Sequence, residues 1–348
     1  MEKAKIGVIG LGLIGKPHSE NLKKIGECDL VAVADADTKQ RKLAETLGTK
    51  FYLDYQEMIE KEKLDGVVIA VPNDLHVPVG IACAKRKIHL LVEKPIAPTL
   101  AEADRLIAIA KENHVRILVG HQRRFNPFVE TARSIVRRGE LGKLVGVTLV
   151  WALYKPFDYF EGSFTWRKSK GGGPILINLI HEIDNLRYIC GEVVRVYAEA
   201  SHRVRNFPVE DSACATLVFE NGALGSIFLS DCVPSLSGYE ATTGENPLMY
   251  HDSGNCYYFY GTKASLSFPQ FKKLFYSDPA RTGWHYPLSE EEVKVVRDDP
   301  YTRALTHFCR VALGKEEPRT TGEDGRKTLE VTLAIQKSGE TGQPVNLK

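Results

Sequence analysis

The stretch from Ile6 to Gly15, IGVIGLGLIG, most constrains how this chain can fold. An apolar run ends at Gly10, and Gly10, Gly12 and Gly15 then give the spacing G-x-G-x-x-G, with Leu13 and Ile14 in the turn, ahead of a helical pattern. Glycines so placed suit a strand that turns sharply into a helix. The first permits the tight turn, the second lets a ligand approach the backbone, and the third lets helix and strand pack closely. Short β-branched runs at 5–10, 29–35, 50–52, 66–72, 89–95 and 116–120 alternate with helical patterns at 14–26, 38–47, 55–62, 77–86 and 99–113. That alternation predicts βαβ units around a parallel sheet.

A lone G-x-G-x-x-G is a weak signal. Here a strand precedes it, a helix follows it, and Asp35 closes the next strand twenty residues beyond Gly15, the context that marks a dinucleotide site. Free N–H groups at the helix start suit a pyrophosphate. The Asp35 carboxylate would accept from both hydroxyls of the adenosine ribose and repel a 2′-phosphate. The expected cofactor is therefore NAD, with NADP kept as an alternative because Lys39 and Arg41 lie nearby.

Further candidates sit where other strands end, at the edge where such sheets bind ligands. VPNDLH (71–76) contributes Pro72, Asn73 and His76 as cofactor contacts, although a solvent-facing His76 is an equal reading. LLVEKP (90–95) contributes Glu93 and Lys94, with a proline behind them that permits a cis bond. An ammonium beside a substrate hydroxyl would stabilise a developing alkoxide. In GHQRRFNP (120–127), Gln122 reads as a cofactor contact, Arg123 as reaching substrate or cofactor, and Arg124 as bracing a domain junction.

After these residues the texture changes. A helix near 127–139 precedes alternating runs at 144–153, 193–201, 211–222, 224–233, 256–268 and 273–277, with a hairpin signal at Asn221-Gly222. Helical patterns return at 300–314 and 323–338, and 234–255 reads as a long loop, of which 237–247 is a lid or a plain surface loop. The expected fold class is α/β: a dinucleotide-binding domain over 1–122, then an α/β domain over 123–348 with a large, mostly antiparallel open sheet. Between the first two strands of that sheet lies GGGPILINLIHEID (171–184). Wound at 100° per residue, Asn178, His181, Glu182 and Asn185 share one face, and Leu176, Leu179, Ile180, Ile183 and Leu186 share the other. Trp166 and Arg167, just before the glycines, read as pocket wall.

Composition excludes several partners. Forty-six basic and forty-four acidic residues leave a formal charge of +2, which gives no electrostatic case for nucleic acid or an anionic membrane. The longest apolar runs are strand-length, short of the roughly 20 residues of a membrane span, and no secretory h-region opens the chain. Seven cysteines without C-x-x-C or Cys/His spacing point to reduced thiols in the cytoplasm and to no metal site.

Taken in order, the glycine fingerprint, PNDLH, EKP, GHQRRFNP and the glycine-led helix with a central histidine resemble the Gfo/Idh/MocA oxidoreductase family, and the resemblance runs from residue 5 to the closing GRKTLEVTLAIQKSGETGQPVNL. It implies an N-terminal Rossmann domain and a C-terminal α/β domain whose open sheet pairs subunits into a homodimer or homotetramer. It also implies hydride transfer between a nicotinamide and a hydroxyl of a sugar, cyclitol or related polyol. The family's catalytic lysine and histidine carry over to Lys94 and His181, with Asn178 a substrate contact and His181 the general base, its ordinary pKa near 6.5 suiting that task.

One position departs from the family pattern. Many members carry an aspartate four residues before the histidine, and this chain has Ile177 there. Three readings follow in order: His181 acts with Lys94 and amides alone, Glu182 supplies the carboxylate, or the chemistry is altered. Two other functions stand beside the dehydrogenase. One is a non-redox enzyme that oxidises its sugar transiently with tightly held NAD. The other is an NAD-binding sensor without turnover.

Overall fold

The computed structural model describes residues 2–347 and divides the chain into two compact units. The first comprises Met1–Phe125 and Asp299–Leu329, and the second Asn126–Asp298 and Glu330–Lys348. Sequence reading put the boundary at 122/123 and assigned everything after it to one domain. The first unit in fact runs three residues further and takes back a segment from far down the chain.

Six strands build the sheet of the first unit: β1 (Ala4–Ile9), β2 (Cys28–Ala34), β3 (Lys50–Tyr52), β4 (Gly66–Ile69), β5 (His89–Val92) and β6 (Ile117–Val119). All pair in parallel, in the order β3-β2-β1-β4-β5-β6, the doubly wound order of dinucleotide-binding folds. All four residues of β4 are buried, as both faces of a parallel sheet must be. The helix Pro300–Ala312 supplies part of that cover, burying Leu305 and Phe308 with Ile6, Val8, Val68 and Leu91. Gly66 makes room for it, since a Cβ there would lie 2.8 Å from the Phe308 ring. At the sheet edge, Val119 and Thr320 are tied by hydrogen bonds of 2.7 and 2.8 Å. A helical pattern at 300–314 gives no sign of which sheet it will cover, so this exchange is invisible to periodicity.

Nine strands make the second sheet: β7 (Leu144–Ala152), β8 (Val193–Ser201), β9 (Ser212–Phe219), β10 (Leu224–Ser230), β11 (Tyr257–Gly261), β12 (Ala264–Phe268), β13 (Lys272–Phe275), β14 (Ser289–Glu292) and β15 (Val345–Asn346). Their order is β14-β13-β12-β11-β7-β10-β9-β8-β15, antiparallel except where β10 lies parallel to β7. The edge strand β14 has no apolar alternation to betray it. Its glutamates pair with lysines of β13, Glu291 with Lys273 at 2.7 Å and Glu290 with Lys272, and charge of that kind protects an edge from further pairing. Burial alternates along the inner strands. One face packs under the helices Pro127–Arg137 and Ile180–Cys190, while Tyr197, Leu224, Phe228, Tyr258 and Tyr260 remain between 37% and 60% exposed. The region expected as one long loop contains a helical turn, Tyr239–Thr243, whose Tyr239 is fully buried and stacks on Phe268.

Candidate active site

The functional groups fall into two sets, one in each unit. In the first, β1 delivers Gly10 at a φ of +89°, and a Cβ there would lie 2.5 Å from the carbonyl oxygen of Ala70. A Cβ on Gly15 would fall 1.8 Å from the Gly10 oxygen, so helix and turn touch only because residue 15 is glycine. Gly12 is different. Nothing lies within 4 Å of a Cβ built there, so the fold does not itself require a glycine at this position and the backbone is open to a ligand. Leu13 and Ile14 beside it are exposed, and the helix Gly15–Leu22 begins without a side-chain cap, leaving N–H groups for an anion.

Asp35 ends just beyond β2. Its Oδ2 accepts from Leu11 N at 2.6 Å and its Oδ1 from Asp37 N at 2.8 Å. Both oxygens are fixed, and each keeps lone-pair capacity for a ribose hydroxyl. These features fit a dinucleotide: Gly10, Gly12, Leu13, Ile14 and Gly15 would receive the pyrophosphate and Asp35 the ribose.

Beyond β4, Pro72 is exposed and Asn73 opens a short helical turn. His76 corrects the expectation for this loop. It is 1% exposed, with Nδ1 2.7 Å from Pro95 O and Nε2 3.0 Å from Val71 O. Both ring nitrogens face main-chain carbonyls, so His76 ties two loops together instead of meeting solvent or a ligand. Burial draws its pKa below the usual histidine range, against the pull of the Pro95 carbonyl.

Beyond β5, the Lys94-Pro95 bond is cis. Glu93 sits against Gly120, where a Cβ would lie 2.9 Å from its carboxylate. It accepts from His18 Nε2 at 2.7 Å and from Lys94 N at 3.2 Å. Burial alone would raise the Glu93 carboxyl, but the hydrogen bond and charge of His18 and the charge of Lys94 bring it below the ordinary value. Glu93 is thus a brace linking the first helix to the strand that carries Lys94. Gln122 and Arg123 follow β6 in a buried helical turn, Gln122 donating to the Tyr301 hydroxyl at 3.2 Å. Arg124, read as bracing a domain junction, pairs with Asp324 at 3.3 Å within the first unit.

The second set rests on the helix of GGGPILINLIHEID. Gly172 and Gly173 permit its approach: Cβ atoms there would meet the Arg167 backbone at 2.5 Å and the Glu210 carboxylate at 2.3 Å. Glu210 then accepts from Ile175 N at 2.8 Å and so caps the helix start. The first turns, Ile175–Leu179, are π-helical, and a regular α-helix continues over Ile180–Cys190. A π turn needs more residues per revolution, so the 100° wheel does not hold across it. Asn178 and His181 are half-buried, whereas Glu182 and Asn185 are fully buried. Glu182 accepts from the Tyr257 hydroxyl, and Asn185 donates to the same oxygen at 3.0 Å. Glu182 is thus engaged by Tyr257 in the interior of the second unit.

Trp166 and Arg167 behave differently from one another. Trp166 is 48% exposed, and Arg167 lies flat against Tyr159, its guanidinium 3.8 Å from the ring centre, while donating to Tyr159 O at 2.9 Å. The expectation of a shared pocket wall thus divides into one open ring and one packed cation.

A lysine that sequence reading passed over sits beside Asn178. Lys155, 6% exposed, donates to Asn178 Oδ1 at 2.7 Å and lies 3.2 Å from Asp231 Oδ2, and Asp231 also binds Arg205 at 2.9 Å. Burial pushes the Lys155 ammonium down to about 8, although the charge of Asp231 pulls it upward. The available signal was Lys155-Pro156 directly after a strand, the same arrangement as Lys94-Pro95.

Among the described residues no group of His, Cys, Asp and Glu is arranged to hold a metal, and no helix is long and apolar enough to cross a membrane.

Comparison with known proteins agrees with this geometry. Residues 4–121 match the oxidoreductase family with an NAD-binding Rossmann fold, and residues 133–347 match that family's C-terminal alpha/beta domain. The chain is 31% identical to the myo-inositol 2-dehydrogenase of Thermotoga maritima, over 99% of this chain and 98% of the relative. It is 26% identical to the scyllo-inositol 2-dehydrogenase (NAD(+)) of Bacillus subtilis, over 99% and 96%. The fold is also that of the WlbA dehydrogenase from Bordetella pertussis, crystallised with NADH and UDP-GlcNAcA, with a TM-score of 0.80 at 23% identity over 100% and 99% of the two chains. From the glycine cradle to the closing strand, this chain belongs to the Gfo/Idh/MocA oxidoreductase family.

Proposed function

We propose that the protein is an NAD-dependent dehydrogenase that oxidises a secondary hydroxyl of a sugar, cyclitol or related polyol. The observation that carries this reading is Gly12, bare between two glycines that the fold itself requires, with the Asp35 carboxylate fixed beside the same turn. That carboxylate would repel a 2′-phosphate, which favours NAD over NADP. Bound NAD supplies the hydride acceptor.

The chain's own residues supply the rest. Lys94, held at the end of β5 by the Glu93 brace, stabilises the alkoxide that develops as the hydroxyl proton departs. His181 takes that proton as general base. Asn178 holds a substrate hydroxyl, and the exposed face of Trp166 offers a surface for a sugar ring. Two of the named relatives act on inositols, which supports a cyclitol or sugar without selecting one. The exposed aromatic face of the second sheet supports assembly into a homodimer or homotetramer. All seven cysteines carry free thiols, as an enzyme of the cytoplasm would.

The test is NADH formation by the purified protein with NAD or NADP and a panel of inositols, aldoses and other polyols, repeated with Lys94→Ala and His181→Ala. Turnover with NAD, lowered about 100-fold or more in each variant, is expected. Cofactor binding without turnover on any substrate would turn the reading toward a non-redox enzyme or a sensor.

A further inference from the structure

Lysine donates three hydrogen bonds and accepts none. The atom of Asn178 that faces Lys155 at 2.7 Å is therefore the amide oxygen, and the NH₂ group is turned away from it. An asparagine on a helix face can ordinarily flip and offer either end. Here the choice is made by a neighbour on another element. Lys155 is itself held in place by Asp231 at 3.2 Å, with its ammonium 4.8 Å from the Tyr159 ring centre and 5.5 Å from that of Trp151. Asp231 is in turn fixed by Arg205. The chain thus holds a fixed cation against Asn178, the residue next to Ile177 and about one turn of helix before His181.

We propose that Lys155 is a positioning residue for substrate recognition: it locks Asn178 so that this amide meets the substrate only as an N–H donor. The inference rests on the dehydrogenase reading for its substrate class, and it narrows what the site selects. The substrate must present an oxygen acceptor to Asn178, a demand that an asparagine free to flip would not impose.

Lys155 loses its proton within the working range of many enzymes. The charged and titratable groups around it are Asp231, Arg205, Arg167, Tyr159 and Glu210. Without its proton, Lys155 holds the Asn178 oxygen less firmly. Substrate affinity should therefore be full below about pH 8 and fall above it.

The test is a double-mutant cycle on polyol binding to the protein–NADH complex, measured calorimetrically with wild type, Lys155→Met, Asn178→Ala and the double variant. Each single change is expected to weaken binding about ten-fold, the double no more than Asn178→Ala alone, with NADH affinity unchanged. The alkaline loss of affinity should vanish in Lys155→Met. Additive losses, or an alkaline limb that survives in Lys155→Met, would overturn the proposal. Binding of polyol without turnover would count against the dehydrogenase reading and leave the cycle valid. If no polyol binds, NMR of the labelled Asn178 side-chain amide still decides. Its signal should titrate near pH 8 in wild type and not in Lys155→Met, and a signal that does not titrate in wild type sinks the idea.

Discussion

Three glycines of one turn carry different burdens, and substitution separates them. Gly15→Ala forces a Cβ to 1.8 Å from a carbonyl oxygen, which no side-chain adjustment relieves. A fall in Tm of at least about 5 °C is expected. Gly12→Ala meets nothing in the protein, so its Tm should stay within about 1 °C of wild type while the Kd for NAD rises roughly ten-fold, about 1.4 kcal/mol. Thermal scans with and without NAD, paired with calorimetry, check both. A Gly12→Ala protein that binds NAD normally would mean that no ligand approaches this backbone. Part of this scale was legible in the sequence: the glycine turn and the placing of Asp35 and Lys94 just beyond strand ends follow from local spacing. His76 did not, because motif order cannot say whether a ring at a loop faces outward or is wedged between two carbonyls. Lys155 escaped although its Lys-Pro pair after a strand repeats that of Lys94-Pro95, because the pair does not say that the lysine will be buried.

At the scale of elements, the Glu93–His18 contact fastens the first helix to the end of β5. The folded-state pKa of Glu93 lies below its ordinary value. A depressed carboxylate contributes stability above its unfolded pKa, about 4.3 for glutamate, and that contribution disappears as pH falls through the folded value. Glu93→Gln should therefore lower Tm at pH 7 and shrink the difference from wild type as pH drops below about 4. An undiminished gap in acid, read by scanning calorimetry from pH 7 to pH 3, would assign the loss to packing alone. Element boundaries were mostly readable, since β-branched runs and capping residues are local. The π turn at Ile175–Leu179 was not, since no residue pattern marks it, and its first N–H meets Glu210 from another part of the chain. Within the regular helix that follows, a wheel groups Glu182 and Asn185 with His181 but cannot show that Tyr257, on another element, takes both of them into the interior.

For the whole molecule, the second sheet presents Tyr258, Tyr260, Leu224 and Phe228 outward from β11 and β10, on either side of β7. Contiguous apolar surface of this kind marks an interaction face, and subunit pairing through it is expected. Tyr258→Glu combined with Phe228→Glu should shift the mass seen by light scattering toward the monomer while leaving far-UV circular dichroism unchanged. An unaltered mass would place assembly elsewhere.

The first unit borrows Asp299–Leu329 from beyond Asn126–Asp298, the main part of the second. Phe308 and Leu305 fill its core, and Thr320 closes its edge strand. On the ribosome, then, the cofactor half cannot finish first merely because it is translated first. Its sheet must wait, with part of its apolar surface uncovered, while about 170 further residues are made. A chain so threaded completes its two halves almost together, and a messenger cut short anywhere before residue 299 yields no finished half.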